Sequence, residues 1–152
     1  AWASFGPLLA MLPPALNAQL AVDSGLTMFE YSALAELDRA PNRTMRVSEM
    51  AGCLGTTRPR MSRVASRLES LGYVTRADCP SDGRATNVTL TDAGAKVLRD
   101  ATPGHLERVR DLVFSALDED QVRSLADISK AIVERYRPDS NSPLVRLGVN
   151  AD

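Results

Sequence analysis

The sequence has few of the residues that build metal sites, disulfides and hydrolytic triads. Its 152 residues contain one histidine, His105, and two cysteines, Cys53 and Cys79, that are separated by 25 residues and form no Cys-x-x-Cys pair. A structural zinc site needs four closely spaced Cys or His ligands, and a Ser-His-Asp triad needs a histidine between its two partners. We therefore expect no metal, no cofactor and no enzymatic activity, and we expect His105 to be a surface or interface side chain.

A long uninterrupted hydrophobic run is also missing. The longest apolar stretch, residues 5–16, is interrupted by one glycine and three prolines, and it is shorter than the roughly 20 residues that a membrane span requires. No basic residue precedes Arg39, so a secretory signal is not indicated. The length and the 44% hydrophobic content fit one globular domain, which the sparse cysteines place in a reducing cytoplasm.

Charge is distributed unevenly, although the net charge is only −1. Residues 1–42 carry a net charge of −3, residues 43–84 carry +4, and residues 85–152 carry −2. The middle segment contains eight arginines and no lysine. The planar guanidinium group suits phosphate oxygens and the edge of guanine. This segment is therefore suited to face nucleic acid, but a solvated surface of mixed charge has the same composition.

Apolar spacing predicts helices at the start of the chain. A first helical face consists of Trp2, Phe5, Leu9, Leu12 and Leu16, and we expect Pro13 and Pro14 to bend or interrupt that helix. Thr27 is predicted to cap a second helix, which ends at "APNR". A short extended segment, "TMRV", then leads to Ser48, which is predicted to cap a third helix that Gly55 ends.

The stretch "LGTTRPRMSRVASRLESLGYV" predicts a helix-turn-helix, with a glycine turn between two helical patterns. One side of its second helix is an apolar stripe of Met61, Val64, Ala65, Leu68 and Leu71. The opposite side has Pro59, Ser62, Arg63, Ser66 and Ser70, with Arg58, Arg60 and Arg67 at its edges. Thr56 or Thr57 is predicted to cap it. Small polar residues between arginines would let this helix enter a DNA groove, with its first amides and threonines against a phosphate.

A β-hairpin follows this helix directly. The strands are "YVTRA" and "TNVTL", and the turn-rich "DCPSDGR" joins them. A hairpin in this place is typical of the wing of a winged helix. Its tip offers Arg84 to a DNA minor groove, and Asp82 and Gly83 are predicted to support the loop.

The two cysteines leave a further alternative open. Cys79 falls in the predicted wing near Arg76 and Arg84, where a thiolate would be stabilised. Cys53 lies on the scaffold helix and is predicted to be a small buried residue. A thiol-based redox switch that uses either cysteine is therefore an alternative to simple DNA binding.

Taken in order, "LTMFEYSALAEL", "VSEMAGCLGTTRPRMSRVASRLESLGYVTR" and "DGRATNVTLTDAG" resemble the MarR family of bacterial transcriptional regulators, from about Trp2 to about Tyr136. The most specific match is the wing signature, present here as Asp82, Arg84, Val88, Leu90, Thr91, Ala93 and Gly94. The resemblance implies a winged-helix homodimer. It also implies that Thr57, Arg58, Arg60, Ser62 and Arg63 match the major-groove helix and that Arg84 matches the wing-tip arginine.

The remaining sequence is interpreted as dimerisation helices. Asp92 is predicted to cap a long helix that bends near Pro103, and Asp118 with Gln121 resembles a capping box for the next. The predicted fold class is mainly α with a small antiparallel β-hairpin (α+β), a winged helix-turn-helix with N- and C-terminal dimerisation helices. Within this single domain the boundaries are 1–26 (first dimerisation helix), 27–91 (winged helix), 92–137 (further dimerisation helices) and 138–152 (flexible tail).

These features predict a homodimeric repressor that binds a palindromic operator in double-stranded DNA. The resemblance also implies release by a small aromatic or phenolic ligand. Trp2, Phe5, Leu9 and Tyr31 are candidates to line its pocket, but a role in the hydrophobic core, which needs no ligand, is the favoured explanation. A winged helix used for protein contacts is another alternative, which would require an exposed apolar strip on the helix at residues 57–71.

Overall fold

The computed structural model describes residues 1–79 and 82–136, with side chains for residues 1–79 and 85–135. The predicted tail at residues 138–152 and the centre of the predicted wing loop, residues 80–81, lie outside this part. The chain divides into two compact units, Ala1–Val109 and Arg110–Asp152.

The elements follow the predicted winged-helix order. The first unit contains α1 (Trp2–Ser24), α2 (Met28–Arg39), a 3-10 turn (Pro41–Arg43), β1 (Thr44–Arg46), α3 (Val47–Cys53), α4 (Arg58–Ser70), β2 (Val74–Cys79), β3 (Asp82–Leu90) and most of α5 (Asp92–Leu112). The second unit contains the end of α5, a 3-10 turn (Phe114–Ala116) and α6 (Glu119–Tyr136). The predicted fold class, mainly helical with a small antiparallel sheet, is confirmed.

The sheet has three antiparallel strands in the order β1-β3-β2. The predicted hairpin is confirmed, with Val74 opposite Leu90 at its base and a register shift between Asp78 and Cys79. The predicted extended segment is β1, which pairs with β3 on its other side. Because β3 is central, Val88 is fully buried and joins the sheet to the core.

The apolar stripe of α4 packs into that core. Met61, Ala65 and Leu68 are fully buried, Val64 is partly buried, and Leu71 at the end of the helix is exposed. The same cluster contains Leu34, Leu37, Met50, Val74 and Val88, which come from α2, α3 and the sheet. The predicted orientation of α4, with its polar face toward solvent, is therefore confirmed.

The cap predicted at Thr27 and the capping box predicted at Asp118 and Gln121 are confirmed, and Thr27 forms a capping box with Glu30. The backbone N–H of Thr27 donates to Glu30 Oε2 at 2.8 Å, and the N–H of Glu30 donates to Thr27 Oγ1 at 3.2 Å. In α6 the reciprocal bonds join Asp118 and Gln121 at 3.0 and 2.9 Å. Each box satisfies backbone donors that the first turn of a helix leaves free.

The caps predicted at Ser48 and Asp92 are wrong. The helix α3 begins at Val47, and Glu49 Oε2 accepts the N–H of Arg46 at 3.0 Å, so Ser48 already lies inside the first turn. At α5, Thr91 Oγ1 accepts the N–H of Gly94 at 3.0 Å and donates to the carbonyl of Gly72 at 2.7 Å. Thr91 is the better cap because its hydroxyl joins the helix to the preceding turn.

The sequence analysis expected Pro13 and Pro14 to bend or interrupt the first helix, and an interruption does not occur, since α1 continues through all three of its prolines. A proline inside a helix leaves the carbonyl four residues earlier without a partner. Pro13 and Pro14 are exposed, so water can hydrate the carbonyls of Leu9 and Ala10. The helix α5 likewise continues through Pro103.

The length of α1 also corrects the expectation about membrane spans. Among the described helices, α1 alone is long and apolar enough to cross a membrane by length and composition. The expectation rested on residues 5–16, whereas the helix has 23 residues. Core helices of soluble proteins and signal sequences have the same length and composition.

Gly94 determines how closely α5 approaches the turn before β2. A Cβ at this position would lie 2.7 Å from Leu90 Cδ1 and closer still to the carbonyl oxygen of Tyr73. That oxygen also accepts the N–H of Thr91 at 3.0 Å, so the backbone there is held in place. Only glycine fits without moving either element.

We expect Gly94→Ala to lower the free energy of unfolding by about 1–3 kcal/mol, because the added methyl group overpacks a fixed contact. Urea titration measures this change. The control is Gly52→Ala on α3, where an added Cβ meets nothing within 4 Å and the change should stay within about 1 kcal/mol. Equal losses in the two variants would contradict the packing argument.

Candidate nucleic-acid interface

The turn between α3 and α4 presents the start of α4 to solvent. Gly55 has a φ of 61°, which favours glycine, and the N–H of Thr56 donates to the carbonyl of Ala51 at 2.9 Å. Thr57 is the N-cap of α4 but makes no capping hydrogen bond with its side chain, so its exposed hydroxyl is not used by the helix. Pro59 lies in the first turn, as predicted.

Arg58 and Arg63 are the two arginines of α4 whose guanidinium groups are not bound to other described parts of the protein. Both are exposed, and within the described part of the chain neither makes a hydrogen bond, an ion pair or a ring contact. Ser62, between them, is partly buried. The exposed face of α4 thus presents two guanidinium groups beside a small hydroxyl group.

Arg60 and Arg67 are bound to α2 instead. The guanidinium carbon of Arg60 lies 5.0 Å from the ring centroid of Phe29, within the range of a cation–π contact. Arg67 Nε donates to Glu30 Oε1 at 2.5 Å, and the Glu30 side chain is only 3% exposed. The sequence analysis placed both arginines at the edges of the DNA face. It did not identify Phe29 or Glu30 as their partners, because these contacts join distant parts of the chain.

Ser66 and Glu69 of α4 are bound by Arg76 of β2. The Arg76 guanidinium donates to Ser66 Oγ, and the Arg76 backbone N–H donates to Glu69 Oε1 at 3.0 Å. These two hydrogen bonds fix the hairpin to α4. Ser66, a predicted DNA contact, therefore already accepts a hydrogen bond within the protein.

The predicted wing residues are only partly described. Asp82, Gly83 and Arg84 belong to β3 by their backbone, but their side chains lie outside the described residues, so their roles stay predictions. An open cleft of about 420 Å³ lies between the start of α4 and β3. Its lining consists of Val47, Ser48, Arg58, Pro59, Ser62, Ala85 and Thr86.

Both cysteines are buried, and they do not form a disulfide with each other. The burial predicted for Cys53 is confirmed. The arginine that contacts Cys79 is Arg46 of β1, whose guanidinium donates to Sγ at 3.6 Å, whereas Arg76 is bound to α4. A cation does lie beside Cys79, and it comes from β1, a strand that the sequence analysis did not indicate. The side chain of Arg84, the other predicted neighbour, lies outside the described residues.

The four residues proposed for an effector pocket separate into two environments. On α1, Trp2 and Leu9 are 76% and 52% exposed, so a core role for them is wrong in this chain. Phe5 contacts the ring of Trp2, with 6.2 Å between centroids. Tyr31 is partly buried, and its hydroxyl is hydrogen-bonded to Thr102 Oγ1 at 3.2 Å.

His105 is buried, which corrects the expectation of a surface or interface side chain. It is 6% exposed, its ring packs on Tyr31 with 4.7 Å between centroids, and its Nδ1 has no hydrogen-bond partner among the described residues. Burial lowers the pKa of His105 from its ordinary value of 6.5, because the charged imidazolium loses its hydration.

We expect the free energy of unfolding to decrease as the pH falls from about 7.5 to about 5.5. A lowered pKa in the folded state means that the unfolded chain binds more protons in this window, so stability rises with pH. His105 is the only histidine, so His105→Phe should remove this slope while it keeps a ring against Tyr31. Chemical denaturation at several pH values measures it, and the same slope in both proteins would assign the effect elsewhere.

The fold and the cationic α4 define a winged helix-turn-helix protein. A model of the MarR family matches residues 24–85. The chain is similar to Sco3205, a MarR family transcriptional regulator from Streptomyces coelicolor solved in complex with DNA, with 39% identity, a TM-score of 0.84, and coverage of 88% of this chain and 84% of that one. The chain belongs to the MarR family.

Two further relatives agree with this assignment. AbsC, a MarR family transcriptional regulator from the same organism, is 28% identical with a TM-score of 0.83, and the match covers 90% of this chain and 92% of AbsC. The transcriptional repressor MprA of Escherichia coli is 28% identical over 111 residues, 73% of this chain. The match spans 62% of the length of MprA.

Proposed function

We propose that this protein is a transcriptional regulator that binds a specific sequence in double-stranded DNA, and that it acts in the cytoplasm as a homodimeric repressor. The observation that carries the proposal is the pair of exposed arginines on α4, Arg58 and Arg63, which the protein does not use for its own packing. Arginine binds guanine and phosphate through two parallel N–H groups. The DNA complex of Sco3205 supports the same class of partner.

The two sides of the interface have different tasks in this proposal. Arg63 and Ser62 read base edges in the major groove, while Arg58 and the first amides of α4 bind phosphate. Arg84 extends from the wing toward the minor groove, as the family resemblance implies. Over residues 57–71 Leu71 is the one large apolar side chain that is exposed, so no apolar strip is present, which favours DNA over a protein partner for this face.

Exposed apolar side chains support a second copy of the chain as partner. On α1, Trp2 and Val22 are 76% and 84% exposed, and on α6, Ile128 and Ile132 are also exposed. Helix faces of this kind are costly in water unless another surface covers them. A two-fold dimer would place two α4 helices one DNA turn apart, roughly 34 Å, and would favour a palindromic operator.

Release by a small aromatic acid is the regulatory part of the proposal. A ligand can bind more tightly to a dimer whose α4 helices have a spacing that does not fit the operator. It then lowers operator affinity by the difference between its binding free energies for the two dimer conformations. The alternative, a thiol-based sensor, is favoured by the Arg46 guanidinium beside Cys79. The two are distinguished by whether release of DNA follows an aromatic acid or peroxide, and whether Cys79→Ser abolishes the peroxide response.

Hydroxyl-radical footprinting on the DNA that flanks the gene tests the proposal. We expect two symmetry-related protected segments about one helical turn apart, and we expect a member of a panel of aromatic acids to remove the protection. Protection of a single segment would contradict the dimer. No protection at any site, with fully folded protein, would overturn the proposed function.

We expect Arg63→Ala to weaken operator binding and to lower discrimination against a substituted base pair by about 1–3 kcal/mol, because it removes a base contact. Arg84→Ala should instead weaken binding to all sequences and reduce the slope of log K against log salt by about 0.9. Fluorescence anisotropy over a salt series measures both. The control is Arg99→Ala, which removes an exposed arginine of α5 and should bind like the parent. Parent-like binding by both Arg63→Ala and Arg84→Ala would contradict the contact assignment.

A further inference from the structure

We infer that Glu30 is a positioning residue for DNA recognition, and that it acts by holding Arg67 so that α4 presents Arg63 and Ser62 at a fixed angle. The inference rests on the proposed function and assigns a role to a residue of α2 that is too deeply buried to touch DNA. Glu30 is 2% exposed.

The two carboxylate oxygens of Glu30 bind different helices. Oε2 accepts the backbone N–H of Thr27 at 2.8 Å, which fixes the carboxylate at the start of α2. Oε1 accepts the Nε–H of Arg67 at 2.5 Å. A buried carboxylate without a charged partner is costly. The ion pair therefore keeps Arg67 of α4 next to Glu30 of α2.

A second contact prevents α4 from turning about that point. Arg60 lies over the ring of Phe29, the neighbour of Glu30. Arg60 and Arg67 are seven residues apart, so they lie roughly 20° apart around α4 and roughly 10 Å apart along it. Two contacts on the same edge fix both the position and the rotation of the helix relative to α2.

The rotation of α4 determines which side chains reach the bases. Arg63 lies between Arg60 and Arg67 in sequence and is offset from both toward the exposed face. Bidentate contact with guanine tolerates little displacement, whereas phosphate attraction tolerates much. Loss of the Glu30–Arg67 bond should therefore reduce sequence discrimination more than overall attraction to DNA.

Arg67 could instead bind DNA phosphate directly, and the experiment must distinguish this role from positioning through Glu30. Its side chain is 58% exposed, so it is accessible to a phosphate. If Arg67 binds phosphate directly, removal of Glu30 leaves that contact intact or strengthens it. If Arg67 acts through Glu30, removal of either residue has the same effect.

The test is a double-mutant cycle of Glu30→Gln and Arg67→Gln in the full chain. The probes are a duplex selected by the parent protein from a random-sequence pool and a scrambled duplex of the same length. Glutamine keeps an oxygen for the N–H of Thr27 but turns an amide toward Arg67. We expect each single variant to lose roughly tenfold in affinity for the selected duplex, with no further loss in the double variant. Affinity for the scrambled duplex and the salt slope should stay unchanged.

The matched control is Glu36→Gln. Glu36 is a second buried carboxylate of α2, with a side chain 5% exposed, but its partner at 2.9 Å is Arg39 of the same helix. Its removal should lower stability without changing discrimination, when all variants are measured well below their melting temperatures.

The outcomes separate this inference from the proposed function. If Arg67→Gln reduces the salt slope by about 0.9 while Glu30→Gln binds like the parent, Arg67 is a phosphate contact and the inference is wrong. Equal loss of discrimination in Glu30→Gln and Glu36→Gln would also overturn it, because the effect would then follow stability alone. If the parent protein selects no duplex from the pool, the proposed function is contradicted, and with it the inference that rests on it.

Discussion

The burial of one stripe of α4 is the constraint on which the rest of the structure depends. Met61, Ala65 and Leu68 are fully buried against α2, α3 and the sheet. Side chains project about every 100° around a helix, so the burial of these three residues also determines which residues face solvent. A rotation that moved Arg63 inward would expose the stripe to water, at roughly 0.8 kcal/mol for each CH₂ group. The core and the candidate DNA face therefore have a common cause.

The features that depend on local spacing could be predicted from the sequence. The helical period gave the two faces of α4, and alternation with turn residues gave the hairpin. The division of the arginines could not be predicted, because Arg63 and Arg67 have the same charge and neighbouring positions on one helix. Their environments differ only because α2 packs beside Arg67 and places Glu30 there, and no local pattern encodes that contact between distant parts of the chain.

The wrong predictions have a similar explanation. Thr91 and Asp92 are both good capping residues, and the choice between them depends on the carbonyl of Gly72, which only the folded turn brings near. His105 was expected at the surface or in an interface, because a single histidine cannot build a metal cluster or a Ser-His-Asp triad. It is buried with its ring packed against Tyr31, and this burial lowers its pKa.

The arginine content of the middle segment overstates its capacity to bind phosphate. Of four arginines on α4, two are bound to α2, and Arg76 on β2 is bound to α4. Each bound guanidinium is less free to attract DNA, but it holds the helix or the hairpin in one orientation. Phosphate attraction alone binds all sequences, and base contacts discriminate only when their geometry is fixed. The bound arginines therefore contribute less to the attraction to any DNA, but they give Arg63 a defined orientation. A protein that selects a sequence requires such an orientation.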